Sequence, residues 1–380
     1  MKRSEKRILT THVGSLVRSP EIKALATAGG ERSREEVAEI VAHATAAVVK
    51  KQASVGLDIV SDGEYGKSSW SNYVLGRMTG FETRREELRR VPWLGRDLER
   101  FAGVIAREMP HVVQGLPTDA CVGPIQYRDR EPVRRAIANF QSALQDVQVE
   151  EAFLTAVAPA STPYDGINEY YPTEKEYVFA LADALRQEYL EIYKAGLLVQ
   201  VDDAVLANMY DHWVQQSPQR YREWAQLRID ALNYALREIP EDRVRYHVCF
   251  GSWHVPHMAD APLEAIVDLI VQVNAGAYSI EAANVRHEHE WRVWQNGRLP
   301  QGKILIPGVI THHTITVEHP RLVADRIVRF AKMVGAGNVI AGTDCGFAQS
   351  EGIERVPSPV MWAKFESLVE GAALASRELF

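Results

Sequence analysis

Eight short apolar runs, each ending in polar residues, are separated by longer stretches, and this rhythm constrains the chain more than any other feature. The runs are ILTTHVGS (8–15), GLDIVSDGE (56–64), EAFLTAVAP (151–159), GLLVQVDD (196–203), VRYHVCFGS (244–252), AYSIEAAN (277–284), ILIPGVI (304–310) and NVIAGTDCGF (338–347). Such runs read as buried strands, and buried parallel strands need helices on their outer face. The stretches between them supply those helices. SREEVAEIVAHATAAVVKKQASVG opens on a capping box, Ser33 with Glu36, and stops before Gly56. TEKEYVFALADALRQEYLEIYKAG repeats the device with Thr173 and Glu176 and ends at Gly196. Strand and helix alternating eight times predict an α/β fold, a (β/α)8 TIM barrel, as a single catalytic domain over residues 1–380. Residues 80–145 exceed the rhythm. Within them ACVGPIQYRDREPVRRAIANFQSALQ reads as a short hairpin and a helix inserted after strand 2. The mixed-charge stretch RREELRRVP (84–92) reads as a solvated helix face.

Barrel strands carry their chemistry at their C-terminal ends. Here those ends hold Ser15, Asp62 and Glu64, Asp202 and Asp203, His247 and Cys249, Glu281, His312 and His313, and Asp344 with Cys345. His247 and Cys249 stand two apart in a strand, so imidazole and thiol face the same side. Glu281 closes the next strand and Cys345 the last, and a closed barrel brings those ends within reach of one axis. Histidine, cysteine, carboxylate and cysteine form a ligand set that zinc favours. Two thiolates and a carboxylate bring a formal charge of about −3, of which Zn²⁺ leaves about −1. A soft, electron-rich centre of this kind suits the activation of a thiol for attack on an alkyl carbon. Glu281, an oxygen donor at a soft centre, is the ligand expected to yield its place.

Composition narrows the partners. A net charge of −7 provides no basic footprint for nucleic acid. No apolar run approaches the ~18 residues of a membrane span, and MKRSEKRILTTHVGS has no apolar leader core, so a cytoplasmic location is expected. Three widely spaced cysteines, Cys121, Cys249 and Cys345, make no disulfide framework, which agrees with a reducing compartment. The expected partners are a small-molecule thiol and an alkyl donor, and a homodimer is compatible with the chain.

The stretches TTHVGS, DIVSDGEYG, HVCFGSWH, YSIEAAN and GTDCGF resemble the catalytic barrel of the cobalamin-independent methionine synthase family and its single-barrel relatives, which include the epoxyalkane:coenzyme M transferases. The resemblance runs over nearly the whole chain. It implies zinc held by His247, Cys249, Glu281 and Cys345. It implies a homocysteine site at Ser15, Glu64 and Asp202, with the carboxylates on the substrate amino group and the serine loop on its carboxylate. It also implies a general-acid histidine in GVITHHT, at His312 or His313, between which spacing does not decide. Three features depart from the family. The synthases carry an additional N-terminal half for which this chain has no room. The strand-four Asp-Glu-Pro reads Asp202-Asp203-Ala204, and TPYDGIN stands where the synthases place a tryptophan against the pterin. The donor therefore stays open among methylfolate, methylcobalamin and epoxide.

Other features have plainer readings. Cys121 is a packed thiol, and HEH (287–289) is structural or supports the site from outside. GAGNVIAG (335–342) runs helix to strand, the reverse of a dinucleotide loop, and is a helix-stop turn. Trp253, His254 and His257 line a substrate pocket or pack beside it. The resulting expectation is zinc-dependent transfer of an alkyl group, expected to be methyl, to a thiol such as homocysteine. Its competitors are an epoxide-opening thiol transferase of the coenzyme M type, a zinc hydrolase and a non-catalytic zinc-binding module.

Overall fold

The computed structural model describes residues 1–27, 32–164, 166–350 and 354–380. Its central feature is a sheet of eight strands: β1 (Leu9–Thr10), β2 (Ile59–Val60), β3 (Glu151–Val157), β4 (Leu198–Asp203), β5 (Val244–Val248), β6 (Ala277–Ile280), β7 (Ile304–Ile310) and β8 (Ile340–Thr343). Each of the eight predicted runs contains one of them. The spatial order β1-β8-β7-β6-β5-β4-β3-β2 follows the chain around a ring, and every pairing is parallel. The seam between β1 and β2 is bridged by side chains. Asp58 Oδ2 accepts from the Thr10 amide at 2.8 Å and its hydroxyl at 2.9 Å, while Thr11 Oγ1 donates to the Ile59 carbonyl at 3.2 Å.

Strand alternation sorts the side chains into two cores. Leu9, Ile59, Phe153, Leu198, Ala277, Ile304 and Ile340 pack together as an apolar floor inside the barrel. Their neighbours one residue on, such as Leu154, Val199, Tyr278 and Leu305, join the larger core under the helices. On β5 the floor position is Arg245, which lies 3.9 Å over the Phe153 ring and donates to Thr11 Oγ1 and the His12 carbonyl, each at 3.0 Å. Two residues further along each strand the inward series becomes polar, at Thr155, Gln200, His247 and Ser279; Thr155 pairs with Gln200 and His247 with Ser279, while between β4 and β5 the register sets Gln200 beside Arg245 and Asp202 beside His247. One more step brings Asp202, Cys249 and Glu281 to the upper rim.

The outer helices begin where their caps predict. Ser33 and Glu36 form the capping box of helix Arg34–Val55, which ends on Gly56 at φ 97°, and Thr173 with Glu176 caps Glu174–Lys194. Gly335, at φ 90°, ends helix Pro320–Val334, so GAGNVIAG is the expected helix stop.

The insertion differs from its reading in sequence. RREELRR is not a helix face but belongs to strand Phe81–Arg89, antiparallel to Leu116–Cys121, with Ile167–Asn168 added as a third strand. The hairpin therefore lies upstream of the segment expected to form it, and helices Gly95–Glu108 and Pro110–Gln114 fill its long connection. The strand shows no apolar alternation because most of it is exposed on both faces. Ion pairing substitutes for burial: Arg84 bridges Glu82 and Glu87 of its own strand and Glu169, just past the third strand. The predicted helix is present as Glu131–Leu144. Cys121, at the end of the second strand, is buried and packed.

Candidate metal centre

β5 continues beyond Val248 into Cys249, whose amide still donates to the Asp203 carbonyl at 3.0 Å, so the thiol stays on the side of His247. From β8, Cys345 arrives over the same point. The two sulfurs lie 3.5 Å apart, and a ring nitrogen of His247 lies within 4.8 Å of both. Both sulfurs are free thiols. Sulfurs bound to one tetrahedral zinc at ~2.3 Å would sit ~3.8 Å apart, whereas a disulfide needs ~2.05 Å. His247 is fully buried, and neither ring nitrogen has a hydrogen-bond partner among the described residues. A buried imidazole without partners is costly unless something outside the chain takes a lone pair. The sulfurs themselves have supporting donors: Ser252 Oγ reaches Cys345 Sγ at 3.0 Å and the Gly251 amide reaches Cys249 Sγ at 3.3 Å. Cys249 and Cys345 titrate as a pair. The hydrogen bond between them, with help from His247, holds Cys345 well below the usual thiol range and pushes Cys249 well above it. The three side chains fit zinc.

Glu281 stands beside this trio rather than within it. Its carboxylate groups with His312 and His313. Oε1 accepts from the Phe250 amide at 3.0 Å, Oε2 from Asn284 Nδ2 at 2.8 Å, and His313 Nε2 is 3.8 Å away. His312 is fully buried with both ring nitrogens unpartnered among the described residues, and burial drives its pKa well below the ordinary value. The rings of His312 and His313 are 4.1 Å apart, and His313 opens onto an adjacent cavity.

Ser15, Glu64 and Asp202 share a cavity of about 280 Å³ with His247, Cys249 and Cys345. Glu64 sits in the left-handed region at φ 62°. Its Oε1 accepts from Thr155 Oγ1 at 2.5 Å and faces Lys67 Nζ at 3.5 Å, while buried Oε2 has no partner among the described residues. Burial would raise its pKa, but the charges of Lys67 and Arg18 and the Thr155 hydroxyl outweigh that and keep it below the usual carboxylate range. Asp202 is different. Burial pushes it up to about 7, with Gln200 Nε2 donating to Oδ1 at 2.8 Å. The Ser15 hydroxyl is already engaged, donating to the Ala348 carbonyl and accepting from Arg18 Nη1 at 3.1 Å.

Above the sulfurs the wall is aromatic. Trp93, from the insertion, stacks on Trp253 at 4.1 Å, and Tyr164 lies edge-on to Trp70 at 5.4 Å and tilted against Trp93 at 5.7 Å. Gly251, at φ 103°, is required here: a Cβ would meet the Trp253 ring at 2.3 Å. Sequence reading had no motif for Trp70, Trp93, Lys67 or Arg355, although TPYDGIN contained Tyr164. The HEH stretch proves structural at His287, whose Nε2 lies 3.0 Å from Asp260 and Nδ1 2.8 Å from Glu290. Asp260 also holds His257 Nδ1 at 2.9 Å.

Comparison with known proteins agrees with this geometry. The family described as "Cobalamin-independent synthase, Catalytic domain" matches residues 160–360. Methionine synthase of Thermococcus kodakarensis is 22% identical over 92% of this chain and 87% of its own length. The uncharacterized protein YxjH of Bacillus subtilis is 23% identical over 94% of this chain and 92% of its own. A B12-independent methionine synthase structure from Shewanella sp. W3-18-1 shares the fold, with a TM-score of 0.71 at 18% identity over 98% and 99% of the two chains. Among the described residues no helix is long and apolar enough to cross a membrane.

Proposed function

Because the chain belongs to the cobalamin-independent synthase catalytic-domain family, we propose that it transfers an alkyl group, methyl in the first instance, to a thiol such as homocysteine, with zinc as cofactor. The observation that carries this reading is the sulfur pair at 3.5 Å beside an imidazole with two unpartnered nitrogens, at the base of a cavity large enough for a small thiol. Zinc, when bound, would supply the Lewis acidity that ionises a thiol at neutral pH.

His247, Cys249 and Cys345 would hold the ion, and Glu281 would be the exchangeable fourth ligand. Its oxygens are already occupied by the Phe250 amide and Asn284, so it has a resting place when displaced. Glu64 Oε2, buried and unpartnered, would accept from the substrate ammonium, with Asp202 beside it. In the reaction the thiol loses its proton, its sulfur forms a bond to the alkyl carbon, and the carbon–donor bond breaks toward the donor. His313, half-buried and adjacent to Glu281, is the better placed of the two histidines to return a proton to the leaving group, while buried His312 braces it. Trp93, Trp253 and Tyr164 exclude water around the reacting carbon.

The test couples metal, proton and product. The zinc-loaded protein is titrated with homocysteine by calorimetry in buffers of different ionisation enthalpy, and X-ray absorption is recorded on the same samples. Release of about one proton with one added Zn–S contact supports the reading. Binding without either would overturn it. Incubation with methylfolates, methylcobalamin and epoxides then assigns the donor.

A further inference from the structure

The chain leaves β7 at Ile310 and presents His312 and His313 just beyond it. With Glu281, from the end of β6, they form a second trio whose ligand atoms all lie within 4.8 Å of one another. This trio opens on its own side of the rim. Glu281 and His313 line a cavity of about 560 Å³ that His247, Cys249 and Cys345 do not line, and the cavity of the sulfurs is not lined by Glu281 or His313. His312 is 1% exposed, and neither of its ring nitrogens has a partner among the described residues. That is the condition of His247 in the first trio, and it is costly here for the same reason. His313 Nε2 stands 3.8 Å from Glu281 Oε2, too far for a hydrogen bond. Two donors at ~2.1 Å from one tetrahedral ion would stand ~3.4 Å apart, so a small closure would seat an ion between them. The carboxylate also lacks a strong cation. Asn284 Nδ2 donates to Glu281 Oε2 at 2.8 Å and to Asp344 Oδ2 at 3.2 Å, and among the described residues no lysine or arginine forms an ion pair with either buried carboxylate.

We infer that Glu281, His312 and His313 form a second cation site, separate from the sulfur trio, which takes a first-row divalent ion through one oxygen and two imidazole nitrogens and leaves its other positions open to the adjacent cavity. A carboxylate has about four lone-pair sites, so Oε2 can accept from Asn284 and still bind an ion. With no sulfur among its donors the site is harder than the thiol pair, which therefore takes zinc first. Its geometry holds whatever reaction the sulfur trio serves. Once filled, it engages His313 and Glu281 and so competes with the roles proposed for them above.

The test uses the full chain with the sulfur trio filled by one equivalent of zinc. Co²⁺ is then added by equilibrium dialysis, both metals are counted by elemental analysis, and X-ray absorption is recorded at the cobalt edge. About one Co²⁺ should bind beside the retained zinc, with nitrogen and oxygen neighbours and no sulfur. His312→Ala and His313→Ala should each weaken Co²⁺ binding about tenfold or more while zinc stays near one per chain. Cys345→Ser should do the reverse, losing zinc and keeping the sulfur-free Co²⁺ site. A zinc-loaded chain that takes up no Co²⁺ overturns the inference, as does Co²⁺ with a sulfur neighbour or Co²⁺ binding unchanged in both histidine variants. Loss of zinc together with Co²⁺ in both variants would place the histidines on the zinc instead, and also overturns it. Should His312→Ala fail to fold, His313→Ala, at the half-buried position, decides.

Discussion

Cys249 and Cys345, 96 positions apart in the chain, hold their sulfurs 3.5 Å from one another at the upper rim of the barrel. Neither strand end could place a metal alone. β5 brings an imidazole and a thiol to one side, and β8 closes the ring to bring the second thiol. Each sulfur should therefore be indispensable. Cys249→Ser and Cys345→Ser are each expected to lower zinc content from about one per chain to a small fraction, because a hard hydroxyl replaces a thiolate poorly. Elemental analysis of the purified variants, with circular dichroism to check the fold, measures this. Full zinc retention in both would remove the site.

Glu64 offers an unpartnered oxygen to the cavity and is held in place by Thr155 and Lys67. Glu64→Gln should weaken homocysteine binding by roughly 1.5–3 kcal/mol, the usual size of a charge-assisted hydrogen bond, and leave zinc content unchanged. Thiols without an amino group should show little change. Equal losses for thiols with and without an amine would reassign Glu64 to a general electrostatic role.

His287 bridges the carboxylates of Asp260 and Glu290. Burial by itself would lower its pKa, but these two hydrogen bonds outweigh burial and push it up to about 10. A histidine whose folded pKa exceeds its unfolded value stabilises fully below pH ~6.5, and loses that contribution as pH rises toward 10. Denaturant unfolding from pH 6 to 10 should show stability falling along this limb. His287→Gln, which removes the cation between buried Glu290 and Asp260 while His257 stays on Asp260, should cost roughly 3 kcal/mol at neutral pH and flatten the limb. A parent protein with constant stability across that range would contradict the assignment.

Trp93 reaches from the insertion to stack on Trp253 beside the sulfurs. Trp93→Ala should reduce alkyl transfer more than tenfold, an effect of about 1.4 kcal/mol or larger on the barrier, while thiol binding and zinc stay near the parent values. Single-turnover kinetics with thiol pre-bound separates the two steps. A variant with parental transfer rates would make this wall a packing feature only.

The eight strands, their order and both helix capping boxes were legible in the residues because strand periodicity and cap chemistry are local. Each inward position two residues apart repeats in Leu198, Gln200, Asp202 and in Arg245, His247, Cys249, and that pattern needs no knowledge of partners. The pairing of His247 with Cys249 followed from the same period. Phe81–Arg89 escaped detection for the converse reason: a strand exposed on both faces buries no alternate residue, so its charges imitate a helix surface until the ladder to Leu116–Cys121 is seen. Nothing local distinguishes His312 from His313, or assigns Glu281 to the histidines rather than to the sulfurs. Those choices depend on rotamers and on which elements meet at the rim. Trp70, Trp93, Tyr164 and Arg355 converge on the cavity from the loop after β2, the insertion, the β3 loop and the segment after β8, and no spacing in the chain records that convergence. Periodicity reports which face a residue takes; only closure of the barrel determines what that face meets.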